Sequence, residues 1–136
     1  MAPEPEAPNG AHGLPDDVAR FLTSHIDSLE QLEILLFLHE RPGETWSADA
    51  VARALYANPE SVGRRLAKLH AGGLLERTGE GAYGCCTTAP ALAESIARLA
   101  HTYRERRVAV ITHIASRPLE NMRAFADAFR LGRRKD

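Results

Sequence analysis

The stretch Ser47–Thr87 reads SADAVARALYANPESVGRRLAKLHAGGLLERTGEGAYGCCT, and its middle part predicts one well-delimited helix. Asn58 is a favoured N-cap, because its side-chain oxygen can accept from the free N–H groups of a first turn, and Pro59 is favoured at the first helical position. Gly72 and Gly73 supply the positive φ that ends a helix. The helix 59–71 carries apolar residues at i, i+4 and i+7, which share one core-facing stripe: Val62, Leu66 and Leu69.

A second, shorter helix precedes this one. Ser47 can act as its N-cap, and the apolar spacing within the segment favours a helix over Ala48–Tyr56. Only Ala57 and Asn58 then separate the two helices. A connection of this length makes the helices cross steeply, which is the geometry of a helix-turn-helix.

A β-hairpin is predicted directly after the second helix of this pair. The runs Leu74–Thr78 and Ala82–Thr87 are rich in strand-forming residues, and Gly79-Glu80-Gly81 between them is typical of a hairpin turn. The segment Glu44–Trp46 can add a short third strand. Helix, turn, helix and hairpin in this order predict a winged helix-turn-helix, a mainly α fold with a small β-wing.

Further helices are predicted on both sides of this unit. One leading helix opens at Leu14–Asp17, and a second begins after Ser28, with Gln31 as its capping-box partner. Behind the wing, we expect one long helix from Pro90 to Arg117 and a last helix over 119–131. The fold prediction is therefore a winged helix-turn-helix with two leading and two trailing helices.

The composition bounds the domain organisation and the compartment. We expect a disordered tail over 1–13, a winged helix-turn-helix domain over 14–89, C-terminal helices over 90–132 and a basic tail over 133–136. The N-terminal stretch lacks the features of a signal peptide, and the longest apolar run is far too short to span a membrane. Two adjacent cysteines, Cys85 and Cys86, form no disulfide framework, which favours a cytoplasmic protein.

The charge is distributed unevenly along the chain. The first 60 residues carry 3 basic and 11 acidic residues, whereas residues 61–136 carry 14 basic and 7 acidic ones, although the net charge is only −1. At about 100° per residue, four polar or basic side chains of the helix 59–71 fall together opposite its apolar stripe: Ser61, Arg64, Arg65 and Lys68. A basic face of this kind favours contact with nucleic-acid phosphates.

Three stretches carry a resemblance to a known family: Trp46–Ala52, Asn58–Leu69 and Gly72–Arg77. Together with the order of elements, they resemble the MarR-like winged helix-turn-helix transcription regulators. The resemblance implies that Ser61, Arg64, Arg65 and Lys68 face the major groove of double-stranded DNA, and that Arg77 at the wing base approaches a phosphate. The wing tip departs from the family, because Gly79-Glu80-Gly81 stands where MarR-type wings usually carry an Asp-x-Arg.

The last predicted helix bears on the oligomeric state. Its apolar residues lie on one side, and the two trailing helices have more apolar surface than one copy easily buries. We therefore predict a homodimer, with the alternative that the last helix folds back onto its own chain. The dimerisation residues are predicted to be Leu119, Met122, Phe125 and Phe129.

Other functions receive less support from the sequence. The six histidines form no i, i+3 or i, i+4 pair, so no metal site is predicted, and His25 and His39 on apolar stripes are expected to be core residues. No phosphate-binding loop or catalytic constellation stands out, so neither a cofactor nor an enzyme is expected. Oxidant sensing by Cys85 and Cys86 and a small-molecule effector beside the trailing helix remain open. The alternative function is a winged-helix protein–protein interaction module with little or no DNA binding.

Overall fold

The computed structural model of the protein describes residues 13–79, 81–85 and 89–116. Helices and a small sheet alternate along this part of the chain. The elements are α1 (Asp16–His25), α2 (Leu29–His39), β1 (Trp46–Ser47), α3 (Ala48–Leu55), α4 (Pro59–Ala71), β2 (Glu76–Thr78), β3 (Ala82–Gly84), α5 (Pro90–Glu105) and α6, the helical residues 107–116.

The second helix, α2, lies at the centre of the molecule. It is buried on nearly all sides, as expected for a helix whose apolar residues do not keep to one face. The Ser28 hydroxyl caps α2 by accepting from the Gln31 N–H at 3.1 Å, while the Gln31 side chain accepts from the Asp27 N–H at 2.7 Å. The buried apolar side chains of α2 are Leu32, Ile34, Leu35, Leu36, Phe37 and Leu38.

The predicted wing is present as a three-stranded antiparallel sheet in the order β1-β3-β2. Trp46 pairs with Tyr83, and Thr78 pairs with Ala82 across the hairpin turn. Strand β3 passes close to the chain ahead of β1, since a Cβ at Gly84 would lie only 2.9 Å from the Glu44 carbonyl oxygen. Glycine at this position therefore lets β1 pair with the hairpin formed by β2 and β3.

The trailing helix differs from its prediction. A single long helix from Pro90 to Arg117 is wrong, because α5 ends at Glu105 and Arg106 adopts φ −133° and ψ 57°. The apolar spacing lapses at this point, because residues 104–107 are all charged and apolar residues resume only at Val108. Arg106 also makes a contact that is remote in sequence: its guanidinium donates to the Gly13 carbonyl at 2.9 Å.

Helices α5 and α6 pack along α1. Arg98 on α5 donates to the Asp17 carboxylate at 2.5 Å, and Thr23 on α1 lies 3.0 Å from Nε2 of His113 on α6. Within residues 13–79, 81–85 and 89–116, no helix is both long enough and apolar enough to cross a membrane. The predicted tail before residue 13, the last helix and the basic tail lie outside the described residues.

Candidate nucleic-acid interface

Helix α4 is fixed at both ends by local hydrogen bonds, as the sequence predicts. The Asn58 side chain accepts from the Ser61 N–H at 3.0 Å, and Pro59 occupies the first turn. At the other end, the Leu74 N–H donates to the Leu69 carbonyl at 3.0 Å across Gly73, whose φ is +84°. This pattern is a Schellman motif, which requires a left-handed residue at that position. The bounds of α4 therefore follow from its own sequence.

The apolar side of α4 holds the helix against the core. Val62 and Leu66 are fully buried and Leu69 is 1% exposed. The neighbouring α3 crosses α4 closely, since a Cβ at Gly63 would lie 3.8 Å from the Cβ of Ala48. Burial of this kind contributes about 1.5–3 kcal/mol per large apolar side chain, so α4 has a defined orientation.

The corner between α3 and α4 is tight. Helix α3 ends at Leu55, one residue earlier than predicted, and Tyr56 adopts the left-handed conformation with φ 57° and ψ 48°. The Ala57 N–H closes the turn by donating to the Ala52 carbonyl at 2.8 Å. Since Tyr56 is 97% exposed, packing does not explain this conformation. The strain, on the order of 1–3 kcal/mol, is imposed by the corner itself.

The polar residues of α4 divide into two groups. The first, the α2-facing flank, consists of Ser61, Arg65 and Lys68, which contact acids at the start of α2. The Ser61 hydroxyl donates to Glu30 Oε1 at 2.5 Å, and Arg65 Nε donates to the same oxygen at 3.1 Å. Lys68 pairs with the Asp27 carboxylate.

These contacts change the electrostatics of Glu30. The hydrogen bond from Ser61, and after it the hydrogen bond and charge of Arg65, hold the pKa of Glu30 below its ordinary value of 4.5, against an opposing effect of burial. The side chains remain partly accessible, with exposed fractions of 29% for Glu30 and 33% for Arg65. An accessible ion pair contributes only about 0–1 kcal/mol, so these pairs can exchange partners.

The second group, the open flank, faces solvent. It consists of Glu60, Arg64, Ala67 and Ala71, all of which are exposed. Arg64 lies on the side opposite the buried stripe, and its guanidinium is therefore available to an external anion. Glu60 in the first turn favours the positive end of the helix dipole but opposes an incoming phosphate.

The wing is connected to the end of α4 through one histidine. His70 Nδ1 lies 3.1 Å from the Leu75 carbonyl oxygen, and its ring meets the ring of Tyr83 edge-on with centroids 6.1 Å apart. Arg77 is exposed on β2, at the edge of the sheet. The hairpin that carries Arg77 therefore packs beside the C-terminal end of α4.

The structure thus separates the predicted site residues. Arg64, Lys68 and Arg77 are exposed and Ser61 and Arg65 are half-buried, while Ser61, Arg65 and Lys68 contact carboxylates of the chain itself. The reason is angular: at about 100° per residue, Arg65 lies only about 40° from Leu69 around the helix. This angle was the signal in the sequence that pointed to a protein contact. The acids Asp27 and Glu30 were not among the predicted site residues.

The described residues bear only in part on the predictions for the histidines, the effector groove and the dimer interface. His25 and His39 are half-buried rather than fully enclosed, and His39 Nδ1 lies 3.9 Å from Cys85 Sγ. A groove of about 310 Å³ between the start of α1 and α5 is lined by Pro15, Glu94, Ala97, Arg98, His101 and Thr102. The predicted dimerisation residues Leu119, Met122, Phe125 and Phe129 lie outside the described residues, as does Cys86.

The architecture matches solved winged-helix regulators. The complex of MepR from Staphylococcus aureus with DNA superposes with a TM-score of 0.52 at 15% sequence identity, covering 82% of this chain and 90% of that chain. MepR, a transcription regulator of the S. aureus multidrug efflux pump MepA, superposes with a TM-score of 0.51 at 15% identity, covering 86% and 87%. A MarR family protein of Mycobacterium tuberculosis is 21% identical, with a TM-score of 0.48 and coverage of 82% and 83%.

These likenesses establish the fold. The two MepR superpositions, with TM-scores of 0.51 and 0.52, show that the chain has the winged helix-turn-helix architecture, and the predicted fold class and resemblance are confirmed at the level of the fold. No family model and no curated protein matches the chain. Since a fold alone does not define a function, the function of this chain depends on the residues of its own site.

Proposed function

We propose that the protein is a transcription regulator that binds double-stranded DNA and reads the major groove with α4. The observation that carries the proposal is the position of α4, which is anchored by its buried stripe at the corner with α3 and turns Arg64 to solvent. A helix held in this way is the element that helix-turn-helix proteins insert into the groove. The likeness of the fold to MepR, which has been solved with DNA, supports the proposal.

The proposed contacts fall into two kinds. Arg64, Arg65, Lys68 and Arg77 contact phosphates and set the register on the duplex, because guanidinium and ammonium groups form charge-assisted bonds to phosphate oxygens. Ser61, Arg64 and Lys68 reach base edges. Arginine and lysine side chains recognise guanine there, whereas a serine hydroxyl can bond to more than one base. Arg64 interacts with Glu30 through its charge, whereas Arg65 also donates a hydrogen bond to that carboxylate.

We further propose that the regulator acts as a cytoplasmic homodimer. Val108 is 76% exposed, which leaves an apolar side chain open on α6, the helix that precedes the predicted dimerisation residues in the sequence. A two-fold dimer would present two copies of α4 to successive major-groove faces. Light scattering coupled to size-exclusion chromatography measures the mass, and a monomer mass would contradict the dimer without bearing on DNA binding.

The DNA-binding proposal is tested by removing charge from α4. We expect the double variant Arg64→Ala/Lys68→Ala to abolish the mobility shift of a bound duplex and to flatten the dependence of affinity on salt. The matched control is Arg20→Ala/Arg104→Ala, which removes the same charge from exposed positions on α1 and α5. Binding that survives the α4 double variant would contradict the assignment of α4.

A second function is favoured by one specific observation. Since Glu30 and Asp27 neutralise part of the basic surface of α4, the same fold could serve as a protein–protein interaction module with little DNA binding. Retention on heparin at low salt distinguishes the two, because a module without a coherent basic surface elutes early. An effector in the groove beside α5 stays a prediction.

A further inference from the structure

The contacts of the α2-facing flank have the same chemistry as contacts to DNA phosphate. A hydroxyl, a guanidinium and an ammonium group donate to carboxylate oxygens of Glu30 and Asp27. Hydroxyl, guanidinium and ammonium groups are also the donors that bind phosphate oxygens in protein–DNA complexes. The two acids therefore occupy the donors that the proposed function assigns to the DNA.

We propose that Asp27 and Glu30 form an intramolecular latch that competes with DNA phosphates for Ser61, Arg65 and Lys68. In the free protein the acids hold these donors, and on binding the phosphates replace the acids. The inference rests on the proposed function, because a competitor needs something to compete with. It assigns to the acids a role that lowers DNA affinity.

The degree of burial suits an exchangeable contact. The exposed fractions of the side chains are 37% for Asp27 and 61% for Lys68, so water and anions reach the pair. A fully buried pair would resist exchange, because breaking it leaves an isolated charge in the interior. An incoming phosphate can therefore reach the latch residues and displace the acids.

A purely positioning role for the acids is not required by the structure. The orientation of α4 already follows from its buried stripe, its Asn58 cap and the Schellman motif at Gly73. These contacts are made by apolar side chains and backbone N–H groups of α4, and none of them involves the carboxylate of Asp27 or Glu30. Removal of the carboxylates therefore leaves α4 in place while freeing its donors.

The experiment compares two double variants of the full chain with the wild type. The test variant is Asp27→Asn/Glu30→Gln. The matched control is Asp16→Asn/Glu40→Gln, which removes the same two charges from exposed positions at the start of α1 and the end of α2. Fluorescence anisotropy measures the Kd for a labelled mixed-sequence duplex of about 30 base pairs at roughly 50 mM salt, where phosphate contacts dominate binding. Thermal melting verifies that each variant is folded.

We expect the test variant to bind about tenfold more tightly than the wild type, and the control to gain less than about threefold from the change in net charge alone. A gain no larger than that of the control would overturn the latch. A loss of affinity in the folded test variant would overturn it as well, because it would assign the acids a positioning role.

The experiment also separates the latch from the proposed function. If the wild type does not bind the duplex but the test variant does, both proposals hold and the latch is stronger than expected. If none of the proteins binds, the DNA-binding proposal fails and the latch fails with it. If the wild type binds and the test variant matches the control, only the latch fails.

A double-mutant cycle locates the effect at a single pair. Arg65→Ala should cost about twofold in affinity in the wild type, where Arg65 first leaves the Glu30 carboxylate, and about tenfold in the Glu30→Gln background, where its partner carries no charge. Equal losses in the two backgrounds would contradict competition between Glu30 and phosphate.

Discussion

The two flanks of α4 carry similar residues in different surroundings. Arg64 on the open flank and Arg65 on the α2-facing flank are neighbours in sequence, yet Arg64 is exposed while Arg65 donates to Glu30 at 3.1 Å. The two arginines therefore start from different states when they bind an external anion: Arg64 is exposed to solvent, and Arg65 is hydrogen-bonded to Glu30. Basic residues on a recognition helix cannot be ranked by charge alone, because each one's contribution depends on the partner that it already has.

The largest effect should come from placing an acid on the open flank. Ala67 is exposed and lies one turn from Arg64, so Ala67→Glu would both neutralise that arginine and repel phosphate. We expect a loss of DNA affinity of more than about tenfold, measured by fluorescence anisotropy, since a juxtaposed like charge costs several kcal/mol.

The matched control for this change is Ala67→Gln. Glutamine has nearly the same shape and a similar helix propensity, so both variants should melt as the wild type does. We expect the control to lose less than about threefold in affinity. Equal losses for both variants would mean that bulk, and not charge, acts at this position, and would contradict the open flank as the DNA-facing surface.

The bounds of α4 were predictable because their causes are local. The Asn58 cap and the glycine at 73 act within one turn of the residues that they affect, and both appear in the structure as expected. The break at Arg106 falls in the charged run 104–107, whereas the hydrogen bond that the Arg106 side chain makes, to Gly13, lies 93 residues away in the sequence.

The candidate site was predictable only in part, for the same reason. Periodicity identified the buried stripe of α4 correctly, but it does not reveal which other element covers the residues beside that stripe. Glu30 lies 31 residues before Ser61, and Asp27 lies 41 residues before Lys68. Such pairings depend on how α2 crosses α4, which helix periodicity does not encode.

A smaller effect should distinguish the two arginines directly. We expect Arg64→Ala to weaken DNA binding about tenfold and Arg65→Ala only about two- to threefold, because Arg65 gives up the Glu30 carboxylate before it meets a phosphate. For the unfolding free energy the order reverses. Arg65→Ala should lower it by less than about 1 kcal/mol, and Arg64→Ala should leave it unchanged.

Titration of anisotropy and chemical denaturation of the same two variants measure both quantities. The two variants should rank in opposite order for DNA affinity and for unfolding free energy. A general loss of stability would instead lower both quantities in the same variant. A greater loss of affinity for Arg65→Ala than for Arg64→Ala would reverse the assignment of the two flanks.

The smallest expected effect is the pH dependence of the unfolding free energy. It involves one carboxylate on the α2-facing flank and one between α1 and α5. The pKa of Glu30 is held below 4.5, chiefly by the hydrogen bond from Ser61, and the pKa of Asp17 is held below 3.8, chiefly by the hydrogen bond from Arg98. A lowered pKa in the folded state stabilises the protein above the unfolded value. That stabilisation is lost as the pH falls through the lowered folded value.

Unfolding free energies of the wild type should therefore decrease between about pH 5 and pH 3, with each carboxylate contributing less than about 1 kcal/mol because both are partly exposed. Glu30→Gln and Asp17→Asn should each flatten this decrease, as followed by denaturation at a series of pH values. Only Glu30→Gln should also tighten DNA binding, because Asp17 has no contact with α4. An equal gain in affinity from Asp17→Asn would show that net charge, and not the partner of Arg65, sets the affinity of α4.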